Sequence, residues 1–229
     1  MRTLPLVAFF FFASVAQAAI NVPLDAANKP DMGKGAASVA QVAPEEKAKA
    51  IADIETYLSG ISSIVANFTQ TATDGSKGSG KFFLKRPGKF RLQYDPPTPI
   101  LLVSDGKVVT YYDAGLDQVT YIGADDTLAS FIARKDIKLD NTTTRLTDFE
   151  KADGVVKVTM VQRQKPDEGS LTLEFTEKPI AIKDMITTDA TGNKVTVVFT
   201  NAQFGPVLDD KLFLFSDPRG VNQRRNKRS

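Results

Sequence analysis

Two absences decide what chemistry this chain can do. Its 229 residues contain no histidine and no cysteine. That removes Ser-His-Asp and Cys-His catalysis, His-ligated zinc, thiolate metal sites and any disulfide framework. Carboxylates, Lys, Tyr and Ser remain, and they do not assemble into an acid/base pair. Asp125 and Asp126 are adjacent, but neighbours on a helix do not face each other, so they read as favourable charges in a first helical turn. Asp209 and Asp210 fall in a loop with no partner in view. A carboxylate enzyme such as a glycosidase is therefore set aside for a non-enzyme that needs no metal and no cofactor. The formal net charge of +2 is too balanced to argue for nucleic acid.

One basic residue breaks an otherwise apolar pattern. Over residues 80–86, period two puts Phe82, Leu84 and Arg86 on one face and Lys81, Phe83 and Lys85 on the other, which the lysines mark as solvent. Across the following turn, Phe90, Leu92 and Tyr94 oppose Lys89, Arg91 and Gln93. The inward surface of this hairpin is thus apolar apart from one guanidinium. A buried guanidinium must find acceptors. Free carbonyls at helix ends could supply them, making Arg86 a latch for a helical lid. The plainer alternative keeps Arg86 at the rim, snorkelling into water.

The elements that must position this hairpin are legible from pattern. Pro44 suits a helix N1 position, Glu45 and Glu46 suit the positive end of the dipole, Ile51, Ile54, Leu58 and Ile61 form an amphipathic stripe, and Gly60 offers a C-terminal stop. From Ser63 the period changes to two, with Ile64, Ala66 and Phe68 on one face. Turns at 74–78, Arg86-Pro87-Gly88-Lys89 (a type II pattern) and Asp105-Gly106 (a primed-turn dipeptide) separate strands over 80–86, 90–94, 100–104, 107–113 and 118–122. A short helix is expected near 125–133, with Leu128, Phe131 and Ile132 apolar. Strands resume at 146–150, 155–162, 170–176, 180–187 and 194–200, before Leu212 to Phe215. Alternations such as Leu171, Leu173 and Phe175 against Thr172, Glu174 and Thr176 bury one face only. Consecutive hairpins of this kind curl into a barrel or half-barrel, with the helices covering its mouth. The fold class is mainly β with helices (α+β).

The chain's ends read differently. Residues 1–18 have Arg2, an apolar run from Leu4 to Val15 and Ala16-Gln17-Ala18 as a cleavage site, which is a secretory signal. Residues 19–43 read as a flexible extension, 44–221 as one domain, and 222–229 as a basic tail. Arg219, Arg224, Arg225, Lys227 and Arg228 give the chain's end its charge, either as a solvated end or as a contact for an anionic leaflet. With no Cys after the cleavage site, the protein carries no lipid anchor of its own.

Taken in order, several segments resemble the outer-membrane lipoprotein carrier protein (LolA) family. They are Asn67-Phe68-Thr69-Gln70, Leu84-Lys85-Arg86-Pro87-Gly88-Lys89-Phe90, Leu102-Val103-Ser104-Asp105-Gly106-Lys107, Tyr112-Asp113 with Asp117-Gln118-Val119, Ile132-Ala133-Arg134, and Phe213-Leu214-Phe215 with Pro218-Arg219-Gly220-Val221. The resemblance implies an unclosed, strongly curved antiparallel β-barrel with a helical lid, whose apolar cavity receives acyl chains. It implies a monomer in the periplasm, loaded with acylated lipoproteins by an ATP-driven inner-membrane releasing complex and unloaded at an outer-membrane acceptor protein or lipid. Arg86 matches the lid-bonding arginine of the family's Lys-Arg-Pro motif. Leu58, Phe90, Leu92, Phe131 and Ile132 match cavity positions. The inward residues Phe68, Phe82, Leu84 and Tyr94 complete the expected cavity, and Leu128 completes the lid. The 19–43 extension, the basic tail and the lack of Trp depart from the family pattern. Alternatives on the same fold are a periplasmic binding or sensor module and a carrier of another lipid.

Overall fold

The computed structural model describes residues 42–219. The secretory signal, almost all of the 19–43 extension and the 222–229 tail lie outside them. Helix α1, Pro44–Gly60, starts at the expected proline with Glu45 and Glu46 in its first turn, and it buries Ile54 and Leu58. Its exposed face carries Lys49 and Asp53, paired at 2.6 Å.

Eleven strands follow: β1 Ser63–Ala72, β2 Lys77–Lys85, β3 Lys89–Tyr94, β4 Ile100–Asp105, β5 Val108–Asp113, β6 Gln118–Gly123, β7 Thr144–Ala152, β8 Val155–Gln162, β9 Gly169–Glu177, β10 Ile180–Asp189 and β11 Lys194–Phe204. They form one antiparallel sheet in the order β6-β5-β4-β3-β2-β1-β11-β10-β9-β8-β7. Each half is a meander, and the halves meet where β1 pairs with β11, Phe68 lying opposite Phe199. β6 and β7 are the two edges and are not paired, so the barrel is unclosed. Register shifts in β1, β7 and β10 add the local bends that let such a sheet curl. The curl brings Leu102 and Tyr111 of one wing and Val156, Met160 and Phe175 of the other into a single apolar interior with Ile54 and Leu58 of α1.

Several details differ from the sequence reading. The segment expected as one short helix is two 3-10 turns, Ala124–Asp126 and Leu128–Ala133, broken at Thr127, whose backbone is extended. This stretch is too short for α-helical propagation to outweigh nucleation, and docking decides its form. The Arg86–Pro87 peptide is cis, and Gly88 has the expected positive φ of 76°. β2 starts at Lys77, because Gly78 and Ser79 still pair with Gln70 and Thr69 of β1. Asp210 is not partnerless: it bridges Lys85 at 2.7 Å and Lys89 at 3.0 Å. These pairs belong to a C-terminal strap over 205–219 that runs across the outer face of β2 to β4. The strap buries Leu208 and Phe213 and receives a hydrogen bond from Arg91 to the Leu212 carbonyl at 3.2 Å. The outer face marked by the lysines is therefore partly covered. Arg219 is held by Asp217 at 2.8 Å and reaches the Asp117 carbonyl at 3.2 Å, so this member of the basic group is already engaged.

Packing between β1, β2 and β3 leaves no room at Gly80. A Cβ there would stand 2.1 Å from the Gln93 carbonyl oxygen and 2.9 Å from the Phe68 ring, which sits edge-on to Tyr94 at 5.0 Å. Gly80→Ala should lower unfolding free energy by about 1–3 kcal/mol, the usual cost of overpacking. Urea denaturation of the two proteins side by side measures it.

Candidate functional site

The site grows from the end of α1. A helix leaves its last carbonyls unpaired, and α1 has no basic residue in its final turn to meet them. The missing donor comes from the sheet. Arg86, just past β2, points to the interior as the alternation requires, and its guanidinium spans two elements. Nη1 donates to the carbonyls of Leu58 and, at 2.8 Å, Ile61. Nε and Nη2 donate to the Ile132 carbonyl at 3.1 and 2.9 Å. A planar fork with five donors suits such a junction, whereas the point charge of a lysine would not reach both sides. Burial pushes the Arg86 pKa down to about 10, with no acid nearby to offset it. The group still keeps its charge at neutral pH, so these are charge-assisted bonds.

The turn that carries Arg86 is itself braced. Gly88 donates its N–H to the Ala133 carbonyl at 2.6 Å, a second tie between this hairpin and the 128–133 segment. Ser104 Oγ donates to the Gly88 carbonyl at 2.9 Å and accepts the Gly106 N–H at 3.2 Å. A Cβ at Gly88 would lie 2.7 Å from the Gly106 Cα, so the two glycine turns touch. The guanidinium is spent on the backbone carbonyls of Leu58, Ile61 and Ile132, while the residue as a whole is half-buried.

Other ties fix α1 over the open side. Tyr57 accepts the Ile182 N–H at 3.2 Å beside the β10 register shift, where the ladder is interrupted. Glu55 accepts the Leu139 N–H at 2.9 Å and pairs with Lys138 at 2.6 Å. Lys151 at the β7 edge bridges Glu46 at 2.5 Å. Apart from the apolar stripe, α1 is thus held at a few points along its length.

The expected interior residues converge. Leu58, Phe68, Phe82, Leu84, Phe90, Leu92 and Tyr94 are each at most 7% exposed and share one cluster with Phe131. Phe82 also packs against Phe199 at 5.0 Å between ring centres. Leu128 is only partly buried against the cluster. Ile132 is buried but stands outside it, and its contribution is the carbonyl taken by Arg86. The Tyr94 hydroxyl bonds the Gln70 side-chain oxygen, and burial raises the Tyr94 phenol pKa further above neutral, with Tyr111 adding to the effect. Tyr111 is pushed up to about 12, chiefly by burial. Both phenols are neutral at physiological pH.

Residues 59–216 match the family described as outer membrane lipoprotein carrier protein LolA. The chain belongs to that family. The outer-membrane lipoprotein carrier protein of Nitrosomonas europaea is 32% identical over 189 residues, covering 79% of this chain and 91% of that protein. Its counterpart in Chromobacterium violaceum is 31% identical over 192 residues, covering 82% and 93%. A crystal structure of a LolA superfamily protein from Nitrosomonas europaea aligns with TM-score 0.46 at 10% identity, over 74% of this chain and 97% of that one.

Within this LolA family member, some interior positions were not singled out as lining the same space. The wing from β8 to β10 supplies Val158, Met160, Leu173 and Met185 to the interior. The alternation in β9 signalled burial, but nothing in it said that β8 to β10 face the same interior as β2 to β4. Tyr57 and Glu55 gave no signal, since their partners lie more than 80 residues away.

Removing the fork should expose the junction. Arg86→Leu leaves the carbonyls of Leu58, Ile61 and Ile132 without their donor, and charged hydrogen bonds contribute about 1.5–3 kcal/mol each. Amide exchange at the α1 C-terminus and across 128–134 should rise at least tenfold while β8 and β9 stay protected. Arg86→Lys should fall between. Below about pH 9 Arg86 binds the same proton folded and unfolded, so its contribution is constant there. After correction for intrinsic rates, wild-type protection of the junction should match at pH 6 and pH 8.

Proposed function

We propose that this chain is a periplasmic carrier that takes lipoproteins released from the inner membrane, shelters their acyl chains in its apolar interior, and delivers them to the outer membrane. The observation that carries this reading is the Arg86 junction, one guanidinium holding both α1 and the 128–133 segment over a continuous apolar interior, in a member of a family of carriers rather than catalysts. The signal at residues 1–18 supports export, and the domain at 44–221 is assigned as the carrier. Loading by an ATP-driven inner-membrane complex and delivery to an outer-membrane acceptor protein or lipid complete the cycle, with the carrier acting as a monomer.

The energetics suit a shuttle. Burial is worth ~0.8 kcal/mol per methylene, so about forty methylenes would gain on the order of 30 kcal/mol on leaving water. Escape into the aqueous space is then negligible. Delivery requires that the carrier bind more weakly than the membrane, and a lid that re-covers its own interior provides this. In the empty state Leu58 and Phe131 occupy the interior. In the loaded state the chains take that place, and α1 and 128–133 lift once the Arg86 bonds release.

Two measurements test this reading. Mass spectrometry of the protein purified from a membrane-containing extract should find acylated polypeptides bound to it; free glycolipid in their place would assign it to another lipid. Arg86→Leu should accept lipoprotein but hand it to outer-membrane vesicles several-fold more slowly, because the open form is no longer penalised. An unchanged handover rate would remove the latch from the mechanism.

A further inference from the structure

Among the described residues, one buried side-chain polar atom has no hydrogen-bond partner: the Ser130 hydroxyl. It lies in the middle of the 128–133 turn, and Ser130 is 6% exposed. A 3-10 turn repeats every three residues, so Ser130 shares a face with Ala133. Both are buried, and Ala133 belongs to the interior cluster. The Ser130 N–H is already used, donating to the Thr127 carbonyl at 3.3 Å. An unpaired hydroxyl at such a position costs about what a lost hydrogen bond costs, and an alanine would fill nearly the same volume without the cost.

We propose that Ser130 recognises an acyl carbonyl of the ligand: in the loaded protein its hydroxyl donates to the oxygen of one ester or amide that ends an acyl chain. The inference rests on the carrier reading and adds a polar contact to it. Acyl chains differ from plain hydrocarbon in one respect: each joins its head through a carbonyl. That carbonyl sits where the dry chains meet the peptide they anchor, which is where a segment covering the interior must close. A carbonyl taken there from water needs a donor, and the guanidinium of Arg86 is already committed to backbone oxygens. Ser130 is the unused donor on the same six-residue turn. Its hydroxyl disfavours the closed, empty form and favours the loaded one, so both effects act in the same direction.

The test separates carbonyl recognition from lid bias by using a ratio. A diacylglyceryl lipopeptide and its dialkyl ether analogue, with equal chain lengths, are titrated against wild type and Ser130→Ala. Wild type should bind the ester form about tenfold tighter than the ether form, the scale of one hydrogen bond of ordinary strength. Ser130→Ala should bind both equally, and both more weakly than wild type binds the ether, because its closed form is no longer penalised. The empty variant should also melt no lower than wild type. An ester-to-ether ratio that is the same in both proteins overturns the inference and leaves the carrier reading intact. Failure of wild type to bind either lipopeptide overturns both.

Discussion

A helix end set among apolar side chains faces a conflict: its last carbonyls have no partner inside the helix, and water that could satisfy them is displaced by the packing that makes the helix stable. Here the conflict arises twice, at the end of α1 and in the 128–133 turn, and a single side chain resolves both. Because the Arg86 guanidinium bonds Ile61 and Ile132 at once, either element that moves away leaves its own carbonyls, and part of the guanidinium, unpaired. Arg86 in turn depends on the hairpin. The alternation of β2 aims it inward, and the contact between Gly88 and Gly106, with Ser104 bonded to both turns, fixes the point from which it reaches. The sheet therefore positions Arg86, and Arg86 ties α1 to the 128–133 turn.

An unclosed sheet makes that arrangement useful. In a closed barrel every interior side chain is surrounded by strands, and opening would break the ladder. In this chain the gap lies between β6 and β7, and the segments that cover the interior are α1 and the connection between those two strands. Lifting α1 and the 128–133 turn would cost side-chain contacts and polar ties such as those at Arg86, Gly88, Tyr57, Glu55 and Lys151, but no strand pairing. The C-terminal strap lies on the opposite face of β2 to β4 and is anchored by Lys85, Lys89 and Arg91. It stiffens the outer side of the hairpin that carries Arg86 while leaving the inner side free.

Much of this was legible in the residues because it rests on short-range pattern. The helix start at Pro44, the period-two faces of β2 and β3, and the inward aim of Arg86 all follow from neighbours a few positions apart. Even the acceptors of Arg86, carbonyls near helix ends, could be anticipated from the need to pair a buried guanidinium. What escaped the sequence depends on distant partners or on docking. Asp210 looked unpartnered because Lys85 and Lys89 lie over 120 residues earlier. The 125–133 segment looked helical because its apolar spacing fits a helix, yet its length leaves the backbone form to the surface it covers. Ile132 shows the subtler limit. Its side chain is apolar and matches a cavity position, but the atom that matters is its carbonyl oxygen, which every residue possesses and no pattern can single out.

The proposed cycle places opposing demands on the interior. A cavity that stayed open and empty would expose apolar surface to water, inviting aggregation; one filled too firmly would refuse its cargo. Filling it with the lid's own side chains meets both demands, because what the acyl chains gain on entering is set against the burial that Phe131 and Leu58 lose. The balance must then be tuned by a small contribution, since the large ones nearly cancel. A charge-assisted junction has a suitable size, a few kcal/mol against tens for the chains. It also has a suitable range. Hydrogen bonds weaken steeply with stretching and misalignment, whereas apolar contact fades gradually as side chains slide. The Arg86 bonds can therefore give a lid with two positions instead of a continuum, and a carrier that must be either shut or loaded needs such a distinction.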